Sequence, residues 1–203
     1  MMKNKAIASS KTRKLTLIGI FAAISTILMY FELPLPFMPP FLKFDPSGVP
    51  ILLSSMLMGP SAAISVTLVK DLIHVLSTTT GGVGELADFL IMSTFSIVVG
   101  LIYNKKHDRK GVLLATVAGT ATCAFVGALA NRYLLIPFFS KVMPLEAIFA
   151  ACAEINPAID GLNAYILFGA VPFNLIKGLI LTVLTFLLYR KLEGFLKTYI
   201  SPK

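Results

Sequence analysis

Ser47 to Leu76 reads SGVPILLSSMLMGPSAAISVTLVKDLIHVL, 30 residues with one break, at Gly59-Pro60. Whether this run is one helix or two sets the topology of the whole chain. If Gly59-Pro60 is a tight reversal, the chain has six spans and both termini face the same side. That side then collects Lys3, Lys5, Lys11, Arg13 and Lys14, the cluster Lys105, Lys106, Arg109 and Lys110, and the terminal Arg190, Lys191, Lys197 and Lys203, or 13 of the 18 basic residues. A single span would put the middle cluster opposite the N-terminal one. Basic residues accumulate in the cytoplasmic loops of membrane proteins, so charge selects two helices, the first of them short for a bilayer.

That the chain lies in a bilayer follows from composition. Of 203 residues, 56% are hydrophobic and 14% charged, with mean hydropathy +0.83. Soluble domains carry roughly a quarter charged residues. About 20 apolar residues make a span, which leaves room for about five or six. Helices satisfy their own backbone hydrogen bonds in lipid, whereas barrel strands need a two-residue alternation that these solid runs lack. The net charge of +8 is no nucleic-acid stripe, because the basic residues sit in short clusters flanking apolar runs. No disulfide is expected between Cys123, inside an apolar run, and Cys152, in a polar connection.

Outward from the break, the expected spans are 15–31, 47–58, 60–76, 84–103, 111–139 and 165–189, in one membrane domain over 1–203. The start is basic and then apolar, like a signal peptide, but Glu32-Leu33-Pro34 follows where a small-residue cleavage site would stand, so it reads as a retained first helix. Residues 32–46, ELPLPFMPPFLKFDP, hold five prolines and several aromatics. Proline removes donors and fixes φ, so this connection is extended and stiff, and its apolar content suits a cap over the bundle end. Residues 140–164 form a longer outer connection with Glu146, Glu154 and Asp160, and its MPLEAIFAACAEI has mixed helical periodicity suited to an interface.

Ser77 to Ile91, STTTGGVGELADFLI, has two readings. Glu85 and Asp88 suit a helix N-terminus, where free N–H groups and the macrodipole favour negative charge. The same residues also fit a ligand-facing rim. Charges within spans are costly and mark functional candidates. They are Lys70, Asp71 and His74 in the third span, Glu85 and Asp88 in the fourth, Arg132 beside Asn131 in the fifth, and Lys177 with Asn174 in the sixth. Most fall in the outer half under the six-span topology, which favours a pocket open outward over a continuous channel. Asn174 and Lys177, three apart, share a helix face. Lys70 and Asp71 are neighbours on different faces and are expected to pair across helices. His74 reads as structural, and Arg132 as snorkelling or paired with an acid. No G-x-x-x-x-G-K-[ST] nucleotide loop, H-E-x-x-H or Cys/His cluster occurs, so neither ATP hydrolysis nor a metal site is expected.

PLPFMPPFLKFDPSGVP, MGPSAA, TGGVGELADFL, ANRY and PFNLIK occur in this order along the chain. With them the chain resembles the riboflavin-specific substrate-binding (S) component of the energy-coupling factor (ECF) transporters. The resemblance implies an all-α, six-helix membrane bundle with both termini cytoplasmic, in the cell membrane. It implies riboflavin held as cargo near the outer face, with no cofactor and no catalysis. It also implies partners that supply the energy, a transmembrane coupling (T) subunit and two ATPase subunits. From the family, Asn131, Asn174 and Lys177 are expected to contact the flavin ring, with Glu85 and Leu42, Lys43, Phe44 and Asp45 around the ligand. Two departures stand out. An uncharged amide is expected near Asp88, and the small-residue motif of the first helix, typically Ala-x-x-x-Ala, is here Gly19-x-x-x-Ala23 with Ala22 adjacent. These three would form the face that docks the coupling subunit, since small residues let helices approach closely. Three alternatives remain: an S component for another vitamin, a membrane enzyme using Glu85, Asp88 or His74 as acid–base groups, and a stand-alone secondary transporter coupled through Asp71 or Glu85.

Overall fold

The computed structural model describes residues 2–39 and 41–200. Pro40 of the proline-rich connection and Lys203 of the terminal basic group lie outside the described residues. Helix α1 (Met2–Met29) leads into a two-stranded antiparallel ribbon, β1 (Leu33–Pro34) against β2 (Lys43–Phe44), in which Leu33 faces Phe44 and Pro34 faces Lys43. Helices α2 (Gly48–Met58), α3 (Pro60–His74) and α4 (Val83–Tyr103) follow. Then come α5 (Arg109–Ala130), α6 (Ile136–Phe139), α7 (Leu145–Ala153), α8 (Leu162–Tyr165) and α9 (Val171–Ile200).

The Gly59-Pro60 break is a true helix reversal. Gly59 takes φ 90° and ψ 168°, Pro60 opens α3, and the Gly59 amide closes α2 by donating to the Ser55 carbonyl at 3.0 Å. That backbone region is essentially reserved for glycine. Gly59→Ala is therefore expected to destabilise the fold by about 1–3 kcal/mol, read as a lower unfolding midpoint in detergent. No side chain lies near enough to obstruct the new methyl, so an unchanged midpoint would mean that the reversal is not under backbone constraint.

Helix α2 spans only about 16 Å at 1.5 Å per residue, roughly half a bilayer core. It is apolar all round and buried from Gly48 to Met56, as expected of a helix enclosed by others. Its two hydroxyls are satisfied, Ser54 on the Ile51 carbonyl at 2.7 Å and Ser55 on the Ser96 carbonyl of α4 at 2.6 Å. Among the described residues, four helical stretches are long and apolar enough to cross a membrane, Lys11–Met29, Val83–Tyr103, Arg109–Phe139 and Leu162–Leu192. The chain is a multi-pass helical membrane protein.

Two of those stretches carry a π turn, Asn131–Leu135 between α5 and α6 and Ile166–Ala170 between α8 and α9. Each ends one residue before an X-Pro pair, Ile136-Pro137 and Val171-Pro172. Proline has no N–H and its ring clashes with the carbonyl four residues back, so the preceding turn widens to i→i+5 bonds. The Ile136 amide accordingly donates to Asn131 O, and the Val171 amide to Ile166 O.

Two apolar clusters result. The larger joins α2 to its neighbours through Ile51, Leu52, Met92, Phe95 and Leu181. The smaller lies at the end opposite the basic Lys105–Lys110 turn, where Leu42 of the connection, Ile136, Ile148 and Cys152 of α7, Tyr165 and Phe173 pack together. Helix α7 thus forms within the 140–164 connection. Cys123 and Cys152 are both free and buried, and burial pushes the Cys152 thiol up to about 11.

Candidate functional site

The Ser77–Ile91 stretch turns the chain into α4 and places Thr80, Glu85 and Asp88 along a cavity. Gly81 and Gly82 turn the chain at positive φ, 61° and 87°. Threonine hydroxyls hold the turn into α4: Thr78 Oγ1 accepts from the Thr80 and Gly82 amides at 3.1 and 3.2 Å, and Thr80 Oγ1 from the Gly84 amide in the first turn of the helix at 3.0 Å. Glu85 is thereby left for other work. Its Oε1 lies 2.9 Å from His74 Nδ1, and its Oε2 accepts from Thr78 and Thr80 hydroxyls at 2.9 and 3.2 Å.

Three residues on, Asp88 is the hub of a buried charge chain. Its Oδ2 is 2.8 Å from Lys70 Nζ and its Oδ1 is 2.9 Å from Lys177 Nζ. Lys177 also reaches Asp45 Oδ2 at 3.3 Å, and Lys70 reaches Asp71 Oδ1 at 2.5 Å. Asp45 is held by the Ser47 amide at 2.9 Å, and Lys70 touches Met29 Sδ of α1 at 3.1 Å. One chain of contacts thus ties α1, the connection, α3, α4 and α9 together. Buried charges persist only when paired and hydrogen-bonded.

The amides sit above this chain. Asn131 Nδ2 donates to the Gly127 carbonyl at 2.8 Å, and Asn174 Nδ2 to the Ala170 carbonyl at 2.8 Å. A Cβ on Gly127 would collide with the Asn174 amide, so glycine is what lets α5 and α9 meet here. Tyr165 donates its hydroxyl to Asn131 Oδ1 at 2.5 Å.

Several of these groups line two adjoining chambers. One, of about 270 Å³, is edged by Glu32, Lys43, Asp45, His74, Thr80, Glu85, Asp88 and Lys177 with Met29, Phe41 and Phe139. The other, of about 110 Å³, is more apolar, with Leu42, Ala87, Ile91, Leu135 and Phe173 beside Asn131 and Asn174. Phe41, Lys43, Thr80, Gly84, Asp88, Phe139 and Lys177 border both. Their combined size falls at the low end of the roughly 300–1,000 Å³ range of small-molecule pockets. The proline-rich connection covers them as a hairpin, its base closed by a Lys43–Glu32 ion pair and its tip turned at Phe37, φ 63°.

Several expectations require correction. Phe44 lines neither chamber and packs against the larger cluster, because adjacent strand residues point to opposite sides and Lys43 takes the chamber side. Ala22 is buried in the core at 1% exposure, whereas Gly19 and Ala23 lie on the exposed face of α1, so the candidate docking face is theirs without Ala22. Lys70 pairs across helices as expected, but its long stem also folds back to its neighbour Asp71. His74 is a chamber residue bonded to Glu85, and its ring lies 5.3 Å from that of Tyr30. Arg132 meets an amide instead of an acid, donating from Nη1 to Asn163 Oδ1 at 2.8 Å.

Asp88 was a rim candidate in the sequence without its charge partners, and Tyr165 was not among the candidates. A signal for Asp88 existed. Lys70 and His74 are four apart on α3, and Glu85 and Asp88 three apart on α4, so two antiparallel helices present matched faces.

Residues 13–189 match the family described as ECF transporter, substrate-specific component. This chain is an ECF-transporter S component. It is 33% identical over 187 residues to the riboflavin transporter RibU of Staphylococcus aureus, covering 92% of this chain and 94% of that protein. It is 26% identical to the riboflavin transporter FmnP of Bacillus subtilis, covering 92% and 95%. A solved S component of a bacterial ECF transporter superposes with TM-score 0.73 at 30% identity, over 92% of this chain and 99% of that one. The S component is a transport protein and not an enzyme, which sets aside the acid–base reading of Glu85, Asp88 and His74.

Proposed function

We propose that this S component captures riboflavin from the outside in the two joined chambers and presents it for ATP-driven uptake. The energy comes from a separate module of a T subunit and two ATPase subunits. The observation that carries the reading is the division of the chambers. An isoalloxazine is a flat apolar body with a polar pyrimidine edge, and the smaller chamber offers Leu42, Ile91, Leu135 and Phe173 as walls with Asn131 and Asn174 among them. The ribityl chain needs several hydrogen-bond partners, and the larger chamber carries Thr80, Glu85, His74 and Lys43. Lys177 stands at the junction of both. The relatedness to riboflavin transporters along nearly the whole chain supports the same cargo. Riboflavin is cargo, and no resident cofactor is proposed.

The topology that goes with it has six spans, α1, α2, α3, α4, α5 with α6, and α8 with α9, and both termini cytoplasmic. Lys105, Lys106, Arg109 and Lys110 then lie inside and the chambers open outward, consistent with the positive-inside rule. The hairpin over 32–46 acts as the cover of the occupied site.

Uptake tests the whole reading. Cells making this chain are expected to accumulate labelled riboflavin only when the T and ATPase subunits are made with it. Accumulation by the chain alone in liposomes under an ion gradient would instead identify a secondary transporter, and uptake of thiamin or biotin in place of riboflavin would change the cargo.

A further inference from the structure

Asn131 and Tyr165 meet because both long helices are distorted at matching places: Asn131 opens one π turn and Tyr165 immediately precedes the other. Both side chains are buried, at 2% and 0% exposure. The hydroxyl of Tyr165 occupies Asn131 Oδ1 at 2.5 Å, while Asn131 Nδ2 spends one hydrogen on the Gly127 carbonyl at 2.8 Å. An amide nitrogen carries two hydrogens, and the second has no partner among the described residues.

We infer that Tyr165 is a positioning residue for cargo recognition: by holding Asn131 Oδ1 it turns the amide so that Asn131 offers the chamber a donor and selects a carbonyl on the ligand. With the amide reversed, Oδ1 would face the Gly127 carbonyl, acceptor against acceptor. Asn174 is oriented in the same way, since its Nδ2 donates to the Ala170 carbonyl at 2.8 Å. Its Oδ1 receives only the weak Cys123 Sγ contact at 3.9 Å. Asn174 therefore keeps both a donor and an acceptor for the ligand. A donor from Asn131 beside a donor–acceptor pair from Asn174 complements the acceptor–donor–acceptor edge of a cyclic imide, which the flavin pyrimidine ring presents. This step rests on the proposed flavin cargo.

The test is a double-mutant cycle on purified protein, read by quenching of riboflavin fluorescence. Tyr165→Phe keeps the ring that packs 5.8 Å from Phe41 and removes only the hydroxyl. It is expected to raise Kd about tenfold, equivalent to about 1.4 kcal/mol. In an Asn131→Ala background the same change should alter Kd by less than about twofold, because Tyr165 then has nothing to orient. Equal losses in both backgrounds would make Tyr165 a merely structural residue and overturn the inference, as would an unchanged Kd in the single variant. A ligand-side measurement needs no variant at all. Of 2-thio- and 4-thioriboflavin, whose sulfur accepts hydrogen bonds poorly, at least one should bind the native protein about tenfold more weakly than riboflavin, and binding of both as tight as that of riboflavin would also overturn it. Failure of the native protein to bind riboflavin would overturn the cargo assignment and this inference with it, an outcome distinct from binding that is insensitive to Tyr165.

Discussion

Lys177→Ala is expected to weaken riboflavin binding more than any other single truncation in the chambers. Lys177 borders both chambers and holds Asp45 and Asp88 at 3.3 and 2.9 Å. Loss of a buried hydrogen bond to cargo costs about 1–3 kcal/mol, or roughly a 5- to 150-fold rise in Kd. Removing the ammonium also takes from buried Asp45 its ion-pair partner and leaves Asp88 with Lys70 alone. Breaking a buried ion pair in this way costs about 3–5 kcal/mol, so the unfolding midpoint should fall as well. The two effects separate in Lys177→Ala with Asp45→Asn, which removes the stranded charge. Stability is expected to recover in part while affinity stays low. Native-like affinity in well-folded Lys177→Ala protein would remove Lys177 from the site.

Ala23→Leu is expected to do the reverse, abolishing uptake and leaving binding intact. Gly19 and Ala23 lie four apart on the exposed face of α1, with nothing within 4 Å of a Cβ built at Gly19. Small residues at this spacing form a groove into which another helix fits closely. The proposed occupant is the T subunit. A leucine fills the groove without touching the chambers, whose α1 contribution is Met29. Cells carrying the variant with its module should take up no labelled riboflavin, while the purified variant should titrate like the native protein. Loss of binding in folded Ala23→Leu protein, or normal uptake, would end this division of labour.

How much of this was legible in the sequence depends on the distance over which the physics acts. The helical bundle, the reversal at Gly59-Pro60 and the extended proline-rich cover follow from local rules of hydropathy, charge and backbone restriction. Asn174 and Lys177 could be put on one face from their spacing alone, and the structure brings both to the smaller chamber. Asp88 was legible as a rim charge facing α3 from spacing, but its place as hub was not, because that depends also on Lys177 from a third helix. The π turns were marked by Pro137 and Pro172, yet a proline in a long helix can also kink or end it, and only packing decides which. Ala22 and Phe44 failed for one shared reason. A motif names neighbours in sequence, whereas about 100° of helical rotation, or the alternation of a strand, sends adjacent side chains to different surroundings.

The most direct measurement of the central claim is a titration of riboflavin with the purified protein in detergent, followed by flavin fluorescence. The expected result is saturable quenching that ends at one flavin per chain, is unaffected by excess thiamin or biotin, and shifts to higher protein concentration for Lys177→Ala and Asn131→Ala. No saturable quenching by the native protein, or quenching that is the same in both variants, would contradict the assignment of these chambers as the riboflavin site.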